Sequence, residues 1–198
     1  MSSAETFTDA ALSAPERSIL AGIARAAIAR VVAGERYRLP EALPPRLLEA
    51  GASFVSLHRA GELRGCLGTI EPHRPLAEDV AVNARAAASR DPRFPPVAAG
   101  ELDDLEIEVS ILSPLTLLDV DSEAALLAVL RPGVDGLLLE DGFRRATFLP
   151  AVWATLATPR EFVTQLKRKA GLPPDHWSSS MRCFRYVVEE IRSAPAAR

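Results

Sequence analysis

The feature that most restricts this fold is an order of elements run through twice: a strand hairpin, a helix, then a third strand. In the first passage, residues 53–58 and 62–70 read as strands about an Ala60-Gly61 turn. Pro72 and Pro75 lead into a helix over about 75–90 with Leu76, Val80, Ala84 and Ala87 on its apolar face. The run from Asp91 to Pro96 ends that helix as a stiff, proline-rich loop. Leu105, Ile107, Val109 and Ile111 then alternate with Glu106, Glu108 and Ser110, the pattern of a half-buried strand. A linker helix near 122–130 opens the second passage. Strands at 136–140 and 143–148 follow about an Asp141-Gly142 turn, then a short helix near 150–156. A longer helix over 159–170 carries a Thr158/Glu161 capping box and a Gly171 stop, and a last strand covers 181–191.

Hairpins of this kind, covered by helices, specify an α+β chain with mainly antiparallel sheets. The expected organisation is one domain over 1–198 containing β-β-α-β-type repeats at about 52–113 and 134–191. An additional N-terminal helix precedes them, with Ser13 and Glu16 as a capping box, Pro15 in its first turn and Gly34 at its end. Ile19, Ile23, Ala27 and Val31 form its stripe, widened by Leu20, Ala24 and Ile28. A connection marked by Pro40, Pro44 and Pro45 leads to a short helix through Leu47 and Leu48 that ends at Gly51.

Composition removes several classes of function. With 198 residues, 48% hydrophobic and 25% charged, the chain can bury a sizeable core and is neither disordered nor a coiled coil. No apolar run reaches the ~18 residues of a membrane helix. The first dozen residues have neither the basic start nor the apolar core of a secretory leader, so a reducing, cytoplasmic setting is expected. A net charge of -3 argues against strong nonspecific nucleic-acid binding. Only Lys167 and Lys169 are lysines among 23 basic residues, which reads as base composition. The Lys167-Arg168-Lys169 run at a helix end complements the helix dipole. Two cysteines exclude a disulfide framework and a four-cysteine zinc site, and His58, His73 and His176 lack metal-ligand spacing. Phosphate-binding loops, the Gly-x-Ser-x-Gly elbow and the His-Glu-x-x-His helix are missing too. No metal is expected, and the cofactor is unknown.

The richest segment runs from Leu63 to Gly68, Leu-Arg-Gly-Cys-Leu-Gly. If Leu63 and Leu67 face the core, Glu62, Arg64, Cys66 and Gly68 share the opposite face, and Arg64 becomes the neighbour of Cys66. A guanidinium beside a thiol favours the nucleophilic thiolate. Gly65 and Gly68 suit a strand that a ligand or another backbone approaches closely. The bland alternative is a small buried cysteine with glycines at a bulge. Asn83 lies on the apolar side of its helix, where its amide fixes local backbone or reads a ligand. Glu106, Glu108 and Ser110 share a face that is either solvated or beside the cysteine strand, where Glu108 would pair with Arg64 or act as general base. Asp91 and Arg93 either cap the helix and lock the loop, or Arg93 presents an anion site. Cys183, among Phe184, Tyr186 and Val188, reads as structural.

These residues resemble the AMMECR family, whose bacterial and archaeal members are also called protein A of the AmmeMemoRadiSam system. The resemblance rests on 63–68, Asn83-Ala84, 91–96 and Ile107-Glu108-Val109-Ser110. It continues through Asp135-Gly136-Leu137, Thr147-Phe148-Leu149-Pro150, Val152-Trp153 and Lys169-Ala170-Gly171-Leu172, and so spans about 15–191. Leu67 replaces a commoner isoleucine, and Ala151 a frequent glutamine, which argues against a general catalytic role for that glutamine. The resemblance implies a duplicated α+β architecture, a functional cleft near the Arg-Gly-Cys motif and no settled reaction. It also implies association with a radical-SAM protein and a Memo-like protein. The leading expectation is an enzyme or small-molecule-binding site with Cys66 as nucleophile or redox thiol, Arg64 as activator and Glu108 as proton carrier. Asn83, Ser110, Gly65, Gly68 and Arg93 would bind substrate. The alternatives are a noncatalytic adaptor for those partners and an RNA- or nucleotide-binding protein.

Overall fold

The computed structural model describes residues 11–195, so the N-terminal stretch read above for a leader lies largely outside the described residues. The chain forms two compact units, one running to Leu112 and resuming at Glu189, the other Ser113–Val188.

In the first unit, α1 (Ala14–Val32) starts at the Ser13/Glu16 capping box and ends before Gly34, whose φ of 73° is left-handed. A 3-10 turn at Pro45–Leu48 precedes β1 (Ala50–Gly51), so Gly51 lies in a short strand and not at a helix end. There follow β2 (Ser53–Arg59), β3 (Glu62–Gly68), β4 (Arg74–Pro75), α2 (Leu76–Ser89) and β5 (Leu105–Leu112). The second unit contains β6 (Thr116–Leu117), α3 (Glu123–Val129), β7 (Gly136–Asp141), β8 (Arg144–Phe148), α4 (Pro159–Lys169) and β9 (Arg182–Tyr186). The last strand, β10 (Val188–Ser193), belongs to the sheet of the first unit.

The two four-stranded sheets run β10-β5-β2-β3 and β6-β9-β7-β8. In each, the strand after the helix pairs antiparallel with the first strand of the hairpin. The fold is therefore α+β with antiparallel sheets and an N-terminal helix. The final strand expected over 181–191 is broken at Val187. Ser113 takes both polar groups of that residue: its Oγ accepts from Val187 N at 3.0 Å, and its N donates to Val187 O at 2.9 Å. The second hairpin also turns one residue later than expected. Asp141 pairs with Arg144, leaving Gly142 and Phe143 as the two-residue turn, with Phe143 93% exposed.

Helices α1 and α2 cover one face of the first sheet. Leu20, Ile23 and Ile28 of α1 meet an alanine-rich α2 and Val55, Leu57, Ile107 and Val109 of the strands. Burial of each larger side chain contributes roughly 1.5–3 kcal/mol. In the second unit, Phe162 of α4 stacks on Trp153 at 3.9 Å, and the Trp153 indole donates to Asp135 O at 2.7 Å. The small face of α2 lets it approach β3 unusually closely. A Cβ on Gly65 would lie 2.4 Å from the carbonyl oxygen of Ala87. Gly68 is similarly filled, by the Phe54 ring at 2.3 Å and Ser53 O at 2.6 Å from the same hypothetical atom.

Neither glycine therefore leaves room for a ligand. Gly65→Ala is expected to lower stability by about 2–3 kcal/mol, because backbone must move. Gly22→Ala, in α1 with nothing within 4 Å, should be neutral or stabilise by up to about 1 kcal/mol. Urea unfolding of the two variants against the parent measures both; a G65A midpoint equal to the parent contradicts the packing.

Candidate functional site

The site is built on β3, the edge strand of its sheet. Leu57 opposes Gly65 and His58 opposes Leu63, so Arg64 is an extra, bulged residue. The bulge reverses part of the expected alternation. Gly65 and Leu67 lie level with the core residues Leu57 and Val55, while Leu63 opposes His58 and is 38% exposed. Cys66 and Gly68 keep the face away from α2, opposite Ser56 and Phe54.

The expected Arg64–Cys66 neighbour pair is not formed. Arg64 donates through Nε to Glu101 Oε1 at 2.9 Å and through Nη2 to Oε2 at 3.0 Å. It also donates to the carbonyls of Pro95 at 2.8 Å and Pro96 at 3.2 Å. Its task is to anchor the proline loop, and no sequence spacing signals Glu101 as its partner. These Arg64 bonds, helped by the Ala98 amide, pull the Glu101 carboxyl from 4.5 down to about 2.

The cation beside Cys66 is Arg93. Ser56, directly across the strand pair, donates its hydroxyl to Cys66 Sγ at 3.2 Å. Cys66 N donates to Asp91 Oδ2 at 2.8 Å, and Cys66 O accepts from Arg93 Nη2 at 3.2 Å. Asp91 is 4% exposed and grips Arg93 in a fork, Nε at 3.0 Å and Nη2 at 2.7 Å, with the Arg93 amide at 3.1 Å. The Arg93 hydrogen bonds hold the Asp91 carboxyl well below the carboxylate range, against the opposing effect of burial. Asp91 in turn raises the pKa of Arg93, with a smaller contribution from the adjacent Cys66 side chain. The loop also caps the free edge of the sheet, which a bare strand would leave open to pairing.

The remaining expected site residues do not converge on the thiol. Glu108 lies one strand beyond Ser56 and forms an ion pair with Arg192 Nε at 3.0 Å, and it pairs with neither Arg64 nor Cys66. Ser110 is 2% exposed and opposes Phe54. Glu106, Glu108, His58 and Arg192 instead line a groove of about 620 Å³ in the same unit. Asn83 belongs to a buried knot around Asp79, which is 0% exposed. Asn83 Nδ2 donates to Ser53 O and to Asp79 Oδ2, each at 2.9 Å. Ser53 N and Oγ donate to the same carboxylate at 2.8 and 2.7 Å, Thr69 Oγ1 at 2.6 Å to its other oxygen, and Arg74 Nε stands 3.3 Å away. The signal for Asp79 was present, an acid four residues before Asn83 on one helix face.

In the second unit, Asp141 gathers Ser180, His176 and Ser178, with its carboxyl lowered to about 2 by Ser180 first and then by the other two. Lys167 is fully buried, bonded to Glu123 and to Pro174 O, and Lys169 donates to Thr147 O at 2.9 Å, so the basic run does more than face a helix dipole. Among the described residues, no three His, Cys, Asp or Glu side chains cluster to hold a metal, and no helix is long and apolar enough to cross a membrane.

Comparison with known proteins bears on this geometry. The AMMECR1 family model matches residues 21–191. A protein of Methanothermobacter thermautotrophicus is 42% identical over 185 residues, covering 91% of this chain and 95% of its own. Protein MJ0810 of Methanocaldococcus jannaschii is 39% identical over 175 residues, covering 85% and 87%. The crystal structure of the uncharacterized protein PH0010 from Pyrococcus horikoshii superposes with a TM-score of 0.87 at 33% identity, covering 93% of this chain and 95% of that one.

The Arg64–Glu101 pair has a pH signature. A carboxyl lowered from 4.5 to about 2 contributes stability that is complete above pH 4.5 and is lost as pH falls through 2. Glu101→Gln is expected to be less stable than the parent at pH 7 and to lose less further stability between pH 5 and 2. Urea midpoints measured across that range test this, and parallel pH curves for parent and variant contradict it.

Proposed function

From the premise that this chain belongs to the AMMECR1 family, we propose that it acts on a small molecule through a thiol centre, with Cys66 as nucleophile or redox thiol. The observation that carries this reading is the pair of groups at one half-buried sulfur: the Ser56 hydroxyl donating at 3.2 Å and the Arg93 guanidinium alongside. A hydroxyl donor and a fixed cation are what stabilise negative charge developing on sulfur. Arg93 thereby takes the electrostatic role expected of Arg64. Arg64 becomes a positioning residue that holds the loop preceding Glu101. With Glu108 engaged by Arg192, no carboxylate serves as general base, and the thiol proton leaves to water. Asn83 and both glycines support the frame and do not contact substrate.

Cys183 is the internal control. It is 1% exposed in the second core, and burial pushes its thiol up to about 12. Iodoacetamide at neutral pH is therefore expected to label Cys66 in the native protein and to leave Cys183 unmodified until unfolding. Ser56→Ala should slow the labelling of Cys66 by about fivefold, the worth of one hydrogen bond of about 1 kcal/mol. Peptide mass mapping over time gives both rates. Equal protection of the two cysteines, or an S56A rate equal to the parent's, speaks against the thiol centre.

A further inference from the structure

We propose that Arg93 is the receptor for a carboxylate on the molecule that meets Cys66, so that the ligand class is a small organic acid. This rests on the thiol reading above and adds the charge of the thiol's partner. A guanidinium carries five N–H donors. Here Nε is spent on Asp91 Oδ1 at 3.0 Å, and Nη2 on Asp91 Oδ2 at 2.7 Å and Cys66 O at 3.2 Å. Among the described residues, Nη1 makes no hydrogen bond to an oxygen or nitrogen, and the Cys66 side chain lies beside the guanidinium. The Arg93 side chain is 54% exposed, whereas the Asp91 side chain behind it is 2% exposed. The fork and the Phe94 ring, 5.4 Å from the guanidinium carbon, fix the plane, so the free edge is preorganised before any ligand arrives.

The Asp91–Arg93 pair is neutral as a whole. Recognition is therefore short-ranged and directional, through charge-assisted hydrogen bonds from Nη1, and not through a long-range field. A carboxylate seated there lies on the same residue whose Nη2 holds the Cys66 carbonyl. Because the Cys66 side chain also lies beside this guanidinium, a carboxylate held there would bring its neighbouring carbon toward the sulfur. Asp91 acts through Arg93 and is a positioning residue.

Iodoacetate and iodoacetamide separate this from general thiol reactivity. Both form an S–C bond at the same carbon with loss of iodide, the thiol proton passing to buffer, and they differ only in carboxylate against amide. The ratio of their rates at the Cys66 peptide is compared in the native protein and in urea at the same pH. The expected native ratio is at least about fivefold above the unfolded one, the effect of one charge-assisted hydrogen bond. Arg93→Gln returns the ratio to the unfolded value while circular dichroism shows a folded protein, and Arg93→Lys, which keeps the charge without the fork, falls between. A native ratio equal to the unfolded one, or an unchanged ratio in R93Q, overturns the proposal even if Cys66 reacts rapidly. If Cys66 resists both reagents the thiol reading fails instead. The receptor is then judged by acetate titration, where saturable shifts of the Arg93 side-chain NMR signals support it and their absence overturns it.

Discussion

The contact on which the rest of the first unit depends is the approach of α2 to β3 at Gly65. With the Ala87 carbonyl 2.4 Å from where a Cβ would stand, only glycine admits this spacing. The closeness has a sequence-wide consequence. It ends α2 beside the edge strand, so that Asp91, two residues past Ser89, reaches the Cys66 amide directly. Beside it, β3 carries a register shift. The bulge at Arg64 accommodates the shift and turns that side chain to the loop at Pro95, Pro96 and Glu101. The loop that follows the close helix places Arg93, and not Arg64, next to Cys66.

Patterns of short range were legible from the residues alone. The alternation over 105–111, the capping boxes at Ser13 and Thr158 and the left-handed glycines at 34 and 171 all report local conformation, and each lies where expected. Features set by a distant partner were not. The run from Arg182 to Ile191 keeps strand-like chemistry throughout, yet Ser113, far away in the chain, divides it at Val187. The bulge in β3 is equally silent, because Leu-Arg-Gly-Cys-Leu alternates well on paper. A single inserted residue flips the assignment of everything on one side of it.

The same division holds at the site. Cys66 was visible from its glycine context, although the glycines serve packing and not ligand access. Ser56 was invisible because it is a cross-strand neighbour, known only once register is known. Asn83 and Arg93 were both seen as polar residues in unusual places, each with a structural and a binding reading open. Each has a buried carboxylate beside it, Asp79 for Asn83 and Asp91 for Arg93.

Those two carboxylates are built alike and end differently. Each is nearly or wholly buried, and each is saturated by backbone amides and side-chain donors. Around Asp79 the hydrogen-bond donors are short side chains, Ser53, Thr69 and Asn83, with the Arg74 guanidinium alongside as an ion-pair partner at 3.3 Å. Such a knot specifies where β2, the end of β3 and α2 meet, and its free energy is spent on the fold. Around Asp91 the principal donor is a guanidinium, which has more N–H groups than one carboxylate and one carbonyl can use. The surplus stays on an exposed edge beside a half-buried sulfur, held rigid by the groups already satisfied. A structural polar cluster closes on itself, whereas this one retains directed, unspent donors next to a nucleophile. That difference is what the proposed thiol centre rests on, with Cys66 and Arg93 as its groups and Asn83 in the polar knot around Asp79.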